Sequence, residues 1–382
     1  MIQPIKHAAI NWIDGMKISQ KHFSAQENYL LDVLRDSNSL FINNFNYGLL
    51  PFAGNGLSED AIFDVYNTAT NDVQLLIKNC NAITAAGYRI ALSDYMINVK
   101  SLLKNTYESQ PDVEEDFYIL ISVNPFEKVP FGDLDPEEIP PRHPHTMPKH
   151  YIELLPASSL RSNHSGGNYL IIGKVSIQNN IAKANENFIP PCTTLRSHPA
   201  LLSSYTAFAK SMGNLQQYAF KIIQKAIKNN QNTVLAHNIR TLCNAMINYF
   251  GVNYFPYRNI ISQQPPVYMI NTFSSFALTL YNQTQMLPPM EVEEMFNYIF
   301  EWSEVAPHSM LNQLSSVAEI NYDHNNCGEY LIKIKTLLGN LEIVFKKLSD
   351  LDYVGQRKEN IIVNEKDITP VQKTPKGWSI LD

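Results

Sequence analysis

The stretch Ile10-Asn11-Trp12-Ile13-Asp14-Gly15-Met16-Lys17-Ile18-Ser19-Gln20-Lys21-His22-Phe23-Ser24-Ala25-Gln26-Glu27-Asn28-Tyr29 decides how the chain begins. An apolar extended run ends at Asp14-Gly15, a turn pair because glycine takes positive φ without steric cost. Ser19 is a good helix N-cap, its hydroxyl accepting from an orphan first-turn N–H. Beyond it Phe23, Leu30, Val33 or Leu34, and Leu40 recur at helical spacing, which predicts a helix with one buried face. Trp12, Met16 and Phe23 are then expected to clamp the corner onto the following domain. His22, with no acid, cysteine or metal set beside it in sequence, is expected to hydrogen-bond and hold that corner.

Trp12, Asp14-Gly15-Met16, Ile18, His22-Phe23 and Gln26, without a gap, resemble the N-terminal signature of the TssK family, trimeric baseplate subunits of bacterial type VI secretion systems. Asp14 stands where the family carries Glu, and Ser19-Gln20-Lys21 departs from its Pro-Gln. A second, weaker likeness is the family's Pro-x-Tyr-x-His segment, set against Ile320-Asn321-Tyr322-Asp323-His324-Asn325. The resemblance implies a β-sandwich shoulder, a helical neck that trimerises, and a head that meets the membrane-embedded complex. It also implies the wedge proteins TssF and TssG as shoulder partners. It covers most of this chain, with the head expected to be missing or reduced to a tail.

Length and composition agree with such an architecture. A chain of 382 residues is expected to divide into two or three domains. With 45% hydrophobic and 17% charged residues it is globular. A formal charge of -6 argues against nucleic acid as the main partner, which needs a basic face. No apolar run reaches the length of a spanning helix, so no membrane insertion is expected. Cys80, Cys192, Cys243 and Cys327 are scattered, without a C-x-x-C pair, as expected for buried thiols in a reducing cytoplasm.

From Ala61 to Glu186 the signals are strands: Ile62 to Tyr66, Val73 to Lys78, Tyr88 to Ala91, Met96 to Val99, Phe117 to Val123, Tyr151 to Leu155 and Tyr169 to Ile177. Short strands with polar turns predict an antiparallel sandwich over 1–190. Asn124 to Lys149 interrupts them with seven prolines and the acidic Asp133, Asp135, Glu137 and Glu138, which excludes a regular element. A docking arm over a neighbouring subunit is expected there, with Pro140, Pro141, Arg142 and His143 as contact residues.

Composition changes at Phe188-Ile189-Pro190-Pro191-Cys192. Pro199 suits a first helical turn capped by Ser197 or His198. Leu201, Tyr205, Phe208, Met212, Leu215, Ala219, Ile222 and Ala226 then alternate by four and three. A strict 3.5 repeat predicts a helical seam, within one chain or between chains. Further helices are expected over Leu235–Tyr249, Met269–Leu280, Val292–Trp302, Ser309–Glu319 and Glu329–Leu348, making 191–353 an all-α bundle. The segment 354–382 is a tail with Trp378 and Leu381 as candidate apolar anchors.

Catalytic chemistry finds no motif. Gly167 to Lys174 has the wrong loop length for a Walker A motif, and its interior is a strand. Neither G-x-S-x-G nor H-E-x-x-H occurs. His143, His145 and His150 are spaced as metal ligands could be, but a solvated or partner-facing loop is the preferred reading. Asp323 or Asn325 is expected to cap a helix. Neither catalytic residue nor cofactor is expected. The function implied is a baseplate component linking wedge proteins to the membrane complex. The alternative is a phage-tail-like sandwich that binds a carbohydrate or other ligand.

Overall fold

The computed structural model describes residues 4–51, 62–68, 73–99, 115–157, 167–178 and 181–356. Trp378 and Leu381 lie outside them. Helix α1 (Gln20–Ser39) leads into strands β1 (Gly48–Leu49), β2 (Phe63–Asn67), β3 (Val73–Ile83), β4 (Arg89–Asn98), β5 (Glu115–Phe131), β6 (His145–Pro156), β7 (Tyr169–Gln178) and β8 (Ile181–Ala184). All strand pairings are antiparallel. One sheet is built on β3, which pairs with β1, β2 and β4; the other runs β6-β5-β7-β8.

Alternation makes the two sheets face each other. Along β3 the residues Val73, Leu75 and Ile77 are buried while their neighbours are partly exposed, as period 2 requires. They share a core with Ile119, Ile121, Leu170 and Ile172 of the second sheet. The layers meet so closely that a Cβ on Gly173 would lie 2.2 Å from the Phe63 ring. Asn67 ties their margin, donating to Ala182 O at 3.1 Å and accepting from Ala182 N at 2.9 Å.

Two sequence expectations change here. The runs 88–91 and 96–99 are parts of one strand, β4. The proline-rich segment is no irregular loop: β5 and β6 continue through it as a hairpin, with a register shift between Asn124 and Lys128 and pairing on to Phe131↔His145. Proline is tolerated because β6 is an edge strand and β7 pairs β5 only as far as Ser122. The missing N–H groups therefore face no partner strand.

After the 3-10 turn Leu195–Ser197, six helices follow: α2 (Pro199–Lys228), α3 (Val234–Asn259), α4 (Pro266–Gln285), α5 (Pro289–Ser303), α6 (Pro307–Ala318) and α7 (Cys327–Asp350). His198, not Ser197, caps α2, accepting from Ala200 N at 3.3 Å. The heptad positions Leu201, Phe208, Met212, Leu215, Ala219, Ile222 and Ala226 are buried. They pack on α3 and α7 of the same chain, so the seam lies within one molecule. Tyr205, the half-exposed member, donates from its hydroxyl to Tyr257 O at 3.0 Å. The helices end at Val354-Gly355, where Val354 is buried and Gly355 N donates to the Tyr298 hydroxyl at 2.9 Å.

Candidate functional site

Helix α1 packs with the wrong side in. Its buried residues are Asp32, Arg35 and Ser39. Phe23 is 63% exposed, and Leu30 and Leu34 are also exposed. At 100° per residue, Asp32 stands opposite Phe23, and Leu30 and Leu34 share the Phe23 face. The expected buried face is therefore the outer one. The residues of the opening motif follow it outward: Trp12 is 47% exposed, and Ile13 and Ile18 are open to solvent. The expected clamp of Trp12 and Phe23 onto the sandwich is not formed.

A buried ion pair explains the orientation. The Arg35 guanidinium donates to Asp32 Oδ1 from Nη2 at 2.8 Å and from Nε at 3.1 Å. Asp32 Oδ2 accepts from the backbone N–H of Lys6 and, at 3.0 Å, of His7. Arg35 Nη2 also reaches Pro4 O at 3.2 Å. Burial alone would raise the Asp32 pKa, but the two amides and the guanidinium together hold it below the usual range. Charges placed this deeply must be paired and hydrogen-bonded. That requirement turns the polar face of α1 inward and straps residues 4–7 across it. Glu27 forms an ion pair with Lys128 on β5, and the His7 ring lies 4.2 Å from Phe126. The arm, α1 and the hairpin thus stand together.

The corner itself is held as the histidine suggested. Ser19 N donates to His22 Nδ1 at 3.1 Å, so His22 takes the place of the acidic partner in a capping box. Gly15 has φ of 79°, and the Trp12 and His22 rings are 6.0 Å apart. Met16 N closes the turn on Ile13 O at 3.2 Å. Asp14 is exposed and Gln26 half-exposed.

Past α1 the exposed apolar surface continues through Leu40 and Phe41, the latter 77% exposed. Asn46 ties back to Phe41 O at 2.8 Å, and Phe45 meets Tyr268 at the start of α4 edge-on at 6.4 Å. Exposed Ile260, Phe255 and Tyr254 lie just before, at the end of α3. The hairpin tip is a separate projection. Asp135 N donates to Arg142 O at 2.9 Å, Arg142 pairs with Glu138, and His143 Nδ1 meets Gly132 O at 2.6 Å. Pro140 and Pro141 sit exposed at this tip beside Ile139, which is 98% exposed.

No arrangement for group transfer accompanies these surfaces. Among the described residues no cluster of three or more His, Cys, Asp or Glu could hold a metal ion. No helix there is long and apolar enough to cross a membrane. All four cysteines are buried, and burial pushes the thiols of Cys80, Cys243 and Cys327 up to about 12, away from thiolate reactivity.

Sheets and helices are joined by a close-packed seam that sequence reading missed. Leu49 N donates to Pro191 O at 2.8 Å and Thr193 N to Leu49 O at 2.9 Å. Gly48 has φ of 114° and no room for a Cβ, which would lie 2.1 Å from Pro191 O. At the start of α7 a Cβ on Gly328 would lie 2.0 Å from Asn187 O. Asp323 caps the turn before α7, accepting from Asn325 N at 3.0 Å. His324 is buried between the two halves. The glycines and histidine were visible in sequence, but nothing local marked them as a joint.

No family model matches this chain, and no curated protein does. Among solved structures it is similar to the crystal structure of TssK, at 15% identity and a TM-score of 0.49 over 87% of this chain and 69% of that one. It is also similar to a chain of the TssK–TssF–TssG baseplate subcomplex of the type VI secretion system, at 12% and 0.48, over 89% and 99%. A third likeness is TssK bound to a nanobody, at 13% and 0.47, over 85% and 99%. With identities and scores this low, the overlap transfers no partner or activity to this chain.

Proposed function

We propose that this chain is a structural subunit of a type VI secretion baseplate rather than an enzyme. The observation that carries the reading is the outward face of α1: the motif residues Trp12 and Phe23, with Leu30 and Leu34, are presented to solvent on a rigid, ion-pair-anchored support. A contiguous apolar face of this kind marks an interaction surface. It coincides with the stretch that resembles the TssK signature.

In this reading 1–190 is the shoulder, 191–353 the neck and 354–382 a tail or reduced head. Copies associate through the outward face of α1 as a homotrimer. The shoulder, with the hairpin tip around Pro140, Pro141, Arg142 and His143, receives the wedge proteins TssF and TssG. The assembly stands at the cytoplasmic face of the inner membrane and links the wedges to the membrane complex.

The test is co-expression with the cognate wedge proteins. A stable complex at fixed stoichiometry, lost when Phe23→Asp and Trp12→Ala are combined, is expected. Purification of the chain free of both wedge proteins under conditions where those two bind each other would overturn the assignment.

A further inference from the structure

We propose that His324 is a protonation-sensitive latch, joining the sandwich to the helices only while its imidazole is neutral. This goes beyond the baseplate reading and does not depend on it.

Hydrogen-bond chemistry defines the state of the ring. Nε2 lies 2.9 Å from Tyr47 O. A carbonyl only accepts, so Nε2 carries the proton. In a neutral ring Nδ1 is then an acceptor, and it receives the Tyr322 hydroxyl at 2.6 Å. The Tyr47 ring adds an edge-on contact at 4.9 Å. Tyr47 immediately precedes Gly48-Leu49, the strand held by Pro191 and Thr193. Tyr322 precedes α7. The imidazole therefore bridges the entry to the first sheet and the entry to the last helix, 277 residues apart in sequence.

Adding a proton at Nδ1 removes the acceptor of the Tyr322 bond and places a positive charge in a buried site. The groups around the ring give that charge little. Tyr47, Tyr322, Tyr330 and Tyr169 are phenols whose pKa values burial raises, so they stay neutral. Cys192 and Cys327, behind Tyr322, are thiols held neutral by the same cause. Asp323 is the acid beside the ring, and it is exposed. Burial thus outweighs the Tyr47 carbonyl and Asp323, and lowers the His324 pKa.

The sign follows from linkage. The open joint exposes an imidazole of ordinary pKa, ~6.5, while the closed joint holds a lower one. The latch is fully closed above that value. As pH falls from there toward the closed-state pKa, the open fraction rises up to tenfold per unit, or up to about thirtyfold by pH ~5.

Hydrogen exchange at the amides of Leu49 and Thr193, compared between pH ~7.5 and ~5 after correction for intrinsic rates, reads the joint directly. Loss of protection at the lower pH is expected in the native chain. His324→Gln keeps a donor toward Tyr47 O but cannot titrate, so its protection should be the same at both values. Tyr322→Phe removes the bond to Nδ1 and should move opening to higher pH, which decides the matter if His324→Gln does not fold. Native protection unchanged at pH ~5, equal acid loss in His324→Gln, or no upward shift in Tyr322→Phe would overturn the latch.

Discussion

Replacing Leu30 and Leu34 together by Gln tests the inverted packing of α1 without touching the core of the molecule. Both side chains project away from the sandwich. Gln resembles Leu in helix propensity, so the isolated chain should keep its stability. If a second copy covers this face, the cost appears only in association. Each leucine leaves on the order of 100 Å² of apolar surface in water, worth about 2.5 kcal/mol when buried. The pair then accounts for about 5 kcal/mol, more than a thousandfold in dissociation constant. Counting Ile5, Trp12, Ile13, Ile18, Phe23, Leu40 and Phe41 as well, the exposed apolar side chains here amount to roughly 1,000 Å² per protomer, against the ~800 Å² per partner of a stable interface. Sedimentation velocity over a micromolar concentration series is the assay. The native chain should sediment as an oligomer and the double variant as a monomer with an unchanged melting temperature. An oligomer of unaltered affinity, or a monomer that melts several degrees lower, would refute the reasoning; the latter would mean that the chain buries these leucines itself.

Two substitutions examine the interior. Leu215→Ala removes a fully buried side chain from α2 and should cost about 2–5 kcal/mol in denaturant unfolding. Because the α2 seam lies within one chain, that loss should not depend on protein concentration. Gly328→Ala would drive a Cβ into Asn187 O. It should destabilise by at least ~2 kcal/mol and release the protection of the Leu49 and Thr193 amides even at neutral pH.

Much of the architecture was legible because local periodicity reports burial. Period-2 runs located β3, β5 and β7, and the four-three alternation from Leu201 to Ala226 located α2 residue by residue. The Asp14-Gly15 turn and the Ser19 corner were equally readable, since turns and caps are settled by nearest neighbours. The hairpin was not. Seven prolines count against a strand only if a neighbour needs their N–H groups, and edge position is a property of the sheet. Nor did the heptad reveal whether its seam was shared between copies, because the same pattern suits a partner helix from either source.

The opening stretch shows the division most clearly. Its residues alone determined an extended arm, a glycine turn and a helix starting after Ser19, all set by interactions spanning a few positions. Which side of that helix faces the protein was decided by the fold, through Asp32 and Arg35. Once Lys6, His7 and Pro4 came within hydrogen-bonding reach, the pair could be buried fully satisfied. An amphipathic helix carries the same periodicity whether its apolar stripe meets its own core or another molecule. Only the placement of the remaining chain tells the two apart.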